Sequence, residues 1–205
     1  TTLDNDLQQI AEETVTKYGE INAQKYQASN AALVASDPRS GQLLALVGSR
    51  NYFDIANQGN FNVALANRQP GSSFKPLAYA RFLEKGFPDT TILFDLKTEF
   101  NPSCDSSGDQ LKDTVGLDCY SPQDYDGAFR GPVTARQALA QSLNVPAVEV
   151  LYLAGLNETI DLAHKMGITT LNDRQRYGLS LVLGGGEVRL VDMVSAYGVF
   201  ANDGL

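Results

Sequence analysis

Positive charge is scarce in this sequence. Sixteen Lys and Arg face 24 Asp and Glu, a formal net charge of −8 over 205 residues. Nucleic-acid binders carry a basic patch or stripe. None is visible here, so no nucleic acid is expected as a partner. Long apolar runs are missing as well. The longest, such as 147–156 with Glu149 inside it, fall far short of the roughly 20 residues that span a bilayer. No signal peptide opens the chain, and "TTLDNDLQQ" reads as a cut from something longer. Cysteine is limited to Cys104 and Cys119, with no CxxC pattern, which argues against a structural zinc site. The two bracket the polar stretch "CDSSGDQLKDTVGLDC". They are either free thiols of a reducing compartment or one disulfide clamping a surface loop in an oxidising one. Closing a loop of this length contributes on the order of 3 kcal/mol. Histidine occurs once, at His164 in "DLAHKMGI". That pattern is an ordinary helix end, and His164 reads as structural. The usual base of serine chemistry is therefore in short supply.

What is present is the composition of a folded soluble domain, 43% hydrophobic and 20% charged. Residues 3–18 read as an amphipathic helix, with Leu3, Leu7, Ile10, Ala11 and Val15 near helical spacing. In "AALVASDPRSGQLLALVG" two apolar segments flank Asp37-Pro38-Arg39-Ser40-Gly41, which predicts a hairpin over about 31–48. Residues 49–69 are polar and irregular. A helix is expected from about Ser72 to Lys85, stopped by Gly86, with Pro76 tolerable in its first turn. Residues 95–132 read as loop. Thr134 and Gln137 form a capping box for a helix reaching about Ser142. Pro146 suits the first turn of another, to Ala154. Further helices are expected over about 158–166 and 187–201. A two-stranded hairpin is marginal alone, and this chain offers it few partners.

The chemistry concentrates in "RQPGSSFKP", residues 68–76. A serine hydroxyl is a poor nucleophile until something takes its proton. Lysine can do so when burial disfavours its charged form. Ser72 and Lys75 are three apart and share a helix face; Ser73 is two apart and turned away. Phe74, Pro76 and Leu77 surround Lys75 with apolar neighbours. A nucleophile in a first helical turn also lies near free backbone N–H groups, which stabilise an oxyanion. The other reading is a capping serine and a solvated lysine, and SxxK is expected on the order of once by chance in such a chain. A second constellation, "QSLNVPAV", sets Ser142 and Asn144 two apart at a helix break. There a serine can relay a proton and an amide can hold a carbonyl. Helix capping is its other reading.

SxxK followed some 70 residues later by SxN is similar to the active-site serine penicillin-recognising enzymes. The wider text resembles the transpeptidase domain of class A (bifunctional) penicillin-binding proteins. It does so in "TTLDNDLQQIAEE", "AALVASDPRSGQLLALVG", "RQPGSSFKP", "DYDGAFRGPVTARQALAQSLNVPAV" and "LVLGGGEVRLVDMVSAYGVFANDG". The resemblance implies an α+β fold of the penicillin-binding-protein/β-lactamase type, with helices around an antiparallel sheet. It implies Ser72 as acyl-enzyme nucleophile, with its backbone N–H as half of the oxyanion hole. Lys75 would be the general base, Ser142 the proton relay and Asn144 the group positioning Lys75 and the substrate amide. The substrate would be the D-Ala-D-Ala end of peptidoglycan stem peptides, cross-linked with loss of D-Ala. β-Lactams would be covalent inhibitors, and no metal or organic cofactor is needed. The site would lie on the extracytoplasmic face of the bacterial membrane, anchored in the full-length protein. That compartment favours a disulfide between Cys104 and Cys119.

One family feature is missing. The KTG motif is not found: "LKTEF" at 96–100 precedes SxN and lacks the glycine, and "KMG" at 165–167 reads as a helix stop. The chain is therefore expected to be the N-terminal part of a transpeptidase domain over residues 1–205, with a helical lobe over about 72–205. A missing segment or a second chain would carry KTG and the remaining strands. The alternatives are a β-lactamase, a β-lactam sensor, or a non-catalytic fragment needing a partner chain. The Glu-x-x-Leu-Asn pattern of class A β-lactamases is absent after residue 144.

Overall fold

The first helix starts where the sequence offers a cap. Asp4 Oδ1 accepts the backbone N–H of Asp6 and of Leu7, both at 3.0 Å. This satisfies two of the N–H groups that a helix start leaves free. Helix α1 then runs Asn5–Tyr26 and ends at Gln27, whose φ of 58° is left-handed. It is longer than the 3–18 expected from periodicity. The extra turns are rich in good helix formers such as Glu20, Ala23, Gln24 and Lys25, and most of their side chains stay exposed. Propensity, not an apolar stripe, carries that end.

The computed structural model describes residues 1–204. The chain divides into two compact units. One holds Thr1–Pro70, Ala163–Asn172 and the segment from Gly186 onward. In it, β1 (Leu33–Ser36) pairs antiparallel with β2 (Leu43–Val47), Leu33 lying opposite Val47. The turn between them closes where Asp37 accepts the N–H of Gly41 at 2.8 Å, and Gly41 takes the positive φ that the turn requires. Ala11 and Val15 of α1 pack on Ala45 and Val47 of β2 to make a small core. The side-chain amide of Gln8 also pairs with β2, accepting from Leu46 N at 2.9 Å and donating to Leu46 O at 3.1 Å. It thus supplies two bonds that a neighbouring strand would otherwise make.

The other unit holds Gly71–Leu162 and Asp173–Gly185. Its helices are α2 (Lys75–Glu84), α3 (Ala135–Ala140) and α4 (Asn144–Ala154), and α5 (Leu156–Lys165) begins in it. Helix α4 is buried on almost every side through Val145, Ala147, Val148, Val150, Leu151 and Ala154. A helix apolar all round belongs at the centre of a core. It packs on α2, on the 3₁₀ turn Leu179–Leu183 and on β3. The capping box at Thr134 and Gln137 is formed, and it starts α3. Helix α6 (Leu190–Ala201) belongs to the first unit.

The loop-like reading of 95–132 needs correction at its ends. Strand β3 (Ile92–Asp95) pairs antiparallel with β4 (Gly131–Thr134), Leu93 opposite Val133 and Phe94 opposite Pro132. Four residues are too few for a period-2 signal, and a proline inside one partner argues against a strand. Burial of Leu93 and Val133 decides it. Helices and short antiparallel pairs make the fold class α+β. Between these strands Cys104 and Cys119 are joined, with S–S 2.00 Å and Cα–Cα 5.8 Å. Among the described residues, no helix is long and apolar enough to cross a membrane.

Candidate active site

Ser72 lies in the 3₁₀ turn Gly71–Phe74, which leads directly into α2 at Lys75. With three residues per turn, a 3₁₀ segment eclipses positions i and i+3. The turn therefore suits the Ser72–Lys75 pairing better than the α-helical start expected there. The Ser72 residue is exposed. A close approach of backbone fixes the turn from behind. Gly184 has φ 90°, and a Cβ on it would stand 2.3 Å from the Gly71 nitrogen. Only glycine fits on both counts.

Lys75 is 1% exposed. Its ammonium nitrogen reaches the second motif: Ser142 O at 2.6 Å, Asn144 Oδ1 at 2.8 Å, Leu143 O at 3.1 Å and Ser142 Oγ at 3.2 Å. The two motifs, 67 to 69 residues apart in sequence, thus meet at one nitrogen. Burial pushes the Lys75 pKa down to about 8, and the nearby Asp124 carboxylate opposes part of that fall. Near neutrality a useful fraction is the free amine, which can accept a proton. Ser142 itself has a φ of 54°, uncommon for a non-glycine residue. That conformation brings both its carbonyl and its hydroxyl within reach of Lys75.

Helix α4 begins without a local cap, since Leu143 offers no side-chain oxygen. Asp124 does the work from a distance. Its Oδ1 accepts the N–H of Asn144, while Asn144 Nδ2 donates to Gln123 O at 2.8 Å. The Asn144 side chain is thereby held with its oxygen toward Lys75. Behind Asp124 lies a cluster of charged groups that the sequence did not reveal. Arg130 Nη1 approaches Asp124 Oδ2 at 3.2 Å and Asp95 Oδ2 at 3.7 Å, and its other nitrogen meets Asp126 Oδ2 at 2.8 Å. The Arg130 backbone N–H donates to Asp95 Oδ2 at 2.8 Å. Asp124, Asp126 and Arg130 all lie in "DYDGAFRG", which holds the only available hint. Asp95 stands 29 positions before Asp124 and gave none. His164 stands in the other unit, its Nε2 2.7 Å from the Thr170 carbonyl oxygen, and packs as a structural residue.

A sequence model of the penicillin binding protein transpeptidase domain matches residues 31–205. The chain belongs to the penicillin-binding protein transpeptidase family. Within that family it is 38% identical over 209 residues to penicillin-binding protein 2D of Bacillus subtilis, covering 100% of this chain and 27% of that protein. It is 33% identical over 178 residues to penicillin-binding protein 1A of Pseudomonas aeruginosa, covering 86% of this chain and 20% of that one. The chain thus spans about a quarter or less of these relatives. Among solved structures it resembles penicillin-binding protein 1A from Haemophilus influenzae, at 30% identity and TM-score 0.69, over 84% of this chain and 23% of that one. It also resembles PonA1 from Mycobacterium tuberculosis in complex with penicillin V, at 26% identity and TM-score 0.75, over 98% of this chain and 50% of that one. The penicillin-binding fold is therefore the α+β fold described above.

Proposed function

We propose that this chain carries the acylation centre of a peptidoglycan D,D-transpeptidase, with Ser72 as nucleophile. The observation that supports it most is the buried Lys75 amine at the meeting point of Ser142 and Asn144. Ser72 Oγ attacks the carbonyl carbon of the penultimate D-Ala, and its proton passes to Lys75 Nζ. The backbone N–H of Ser72 stabilises the oxyanion. As the C–N bond breaks, Ser142 relays a proton from Lys75 to the departing D-Ala nitrogen. An ester to Ser72 remains. The amine of a neighbouring stem peptide attacks it, forms the cross-link and returns the proton through the same pair, which restores the Ser72 hydroxyl. Asn144 holds Lys75 and the substrate amide. β-Lactams acylate Ser72 by the same first step. The reaction belongs on the extracytoplasmic side of the membrane, where a Cys104–Cys119 disulfide is stable.

The test is release of D-Ala from a stem pentapeptide by the full-length protein. Wild type releases it. Ser72→Ala abolishes release while leaving the far-ultraviolet circular dichroism unchanged. Equal release by the Ser72→Ala protein would overturn the reading.

A further inference from the structure

Behind the site, two carboxyl groups are buried against each other. Asp95 is 0% exposed and Asp124 is 6% exposed. Their side chains lie within hydrogen-bonding reach of one another, and Arg130 Nη1 approaches both, Asp124 Oδ2 at 3.2 Å and Asp95 Oδ2 at 3.7 Å. Two carboxylates have no hydrogen to share, so a bond between them requires one to carry a proton. The acceptor load says which. Both oxygens of Asp124 already accept, Oδ1 from Asn144 N–H and Oδ2 from Arg130. Asp95 Oδ2 accepts from the Arg130 backbone, and Asp95 Oδ1 is buried with no N–H or O–H donor among the described residues. A buried oxygen with nothing to accept is costly unless it donates.

We propose that Asp95 and Asp124 act as one carboxylic acid–carboxylate pair that positions Asn144, and through it Lys75, for acylation. Asp95 donates its proton to Asp124. Asp124, held there and by Arg130, fixes the start of α4 at Asn144. Asn144 Oδ1 then orients the Lys75 amine. Neither aspartate touches the reacting atoms; both are positioning residues. Burial, together with the Asp124 carboxyl, raises the Asp95 pKa, while Arg130 opposes the rise. The charged neighbours of the pair are few. Arg130 bridges both carboxyls and also pairs with Asp126. Lys75 of α2 senses the Asp124 charge. Glu149 of α4 accepts the N–H of Phe94, next to Asp95, at 3.0 Å. With Asp95 ionised, one guanidinium would face three carboxylates, two of them buried. Loss of the shared proton therefore loosens Asn144. Acylation thus requires the proton on Asp95 as well as the free amine of Lys75.

This inference rests on the nucleophile assignment above, and one set of measurements separates the two. The rate of acylation by a fluorescent penicillin is followed across pH in the full-length wild-type, Asp95→Ala and Asp95→Asn proteins. Asp95→Ala is expected to lose rate, by up to about a hundredfold, as a misplaced site does. The asparagine keeps a donor toward Asp124 and an acceptor for the Arg130 N–H, so Asp95→Asn recovers most of that rate. Its donor does not titrate, so its rate follows the Lys75 titration alone. Infrared difference spectra of wild type against Asp95→Asn should show the carbonyl band of a protonated carboxylic acid in wild type alone. An Asp95→Ala protein as fast as wild type, an Asp95→Asn protein whose rate does not follow the Lys75 titration alone, or a wild type without that band overturns the proposal. If Asp95→Ala does not fold, the Asp95→Asn profile and the infrared band decide alone. If wild type itself takes no penicillin, the nucleophile assignment fails. The infrared band and the Lys75 titration, followed by NMR in wild type and Asp95→Asn, still decide the pair.

Discussion

Lys75 carries the account at the scale of one residue. Burial disfavours its charge, and oxygen acceptors on three consecutive residues hold it in place. As the proposed base, with a pKa of about 8, Lys75 would set the form of the pH dependence. Below that value the free amine, and with it the acylation rate, rises about tenfold per pH unit. Stopped-flow penicillin acylation is expected to show that rise and a bend near pH 8, whereas an unperturbed lysine would keep rising toward 10. The stability sign follows. The folded state holds fewer protons on Lys75 than the unfolded chain between about 8 and the ordinary lysine value. This group therefore adds stability as pH rises through that window. Lys75→Met removes the proposed base and should slow acylation by about 10²- to 10⁴-fold, read in the same assay. Spacing and apolar neighbours singled out Ser72 and Lys75 but left a capping serine and a solvated lysine open, until the second motif and the family resemblance favoured the catalytic reading. Asp95 was not singled out. It ends a four-residue strand, and nothing in the linear order ties it to Asp124 or Arg130.

At the scale of elements, the site depends on how three short segments begin. The 3₁₀ turn Gly71–Phe74 sets Ser72, a left-handed Ser142 sets the second motif, and Asp124 starts α4. Gly184 supports the first of these through its contact with Gly71. Gly184→Ala would place a Cβ on that backbone at an unfavourable φ, and should destabilise by more than about 1 kcal/mol. It should also displace Ser72 and lower acylation by up to about a hundredfold. Urea denaturation and penicillin labelling read the two effects, and unchanged labelling would remove Gly184 from the site's support. Periodicity, caps and a first-turn proline together pointed to every α-helix among the described residues. They missed the end of α1, where propensity acts alone, and the β3–β4 pair, where four residues per strand leave no pattern. Such pairs form because partners distant in sequence bury Leu93 and Val133 together.

At the scale of the whole molecule, the Cys104–Cys119 link closes a loop with a sequence separation of 15. Reduction should lower the stability by about 3 kcal/mol, read as a drop in thermal midpoint with reductant. The segment 120–124 follows Cys119 immediately and ends at the residues that hold Asn144. Acylation should therefore fall on reduction, and thiol labelling of the unreduced, denatured protein should find no free thiol. The fold class and the family were legible because whole stretches of text, and not only two four-letter motifs, resemble the family. The carboxyl pair behind the site was legible only in three dimensions.

The measurement that bears most directly on the central claim is the position of the covalent bond to penicillin. Full-length protein is treated with penicillin, digested, and the adduct located by fragment-ion mass spectrometry within residues 69–75. The account predicts a single penicilloyl group on Ser72. An adduct on Ser73, or none in a protein that still binds penicillin, would contradict it.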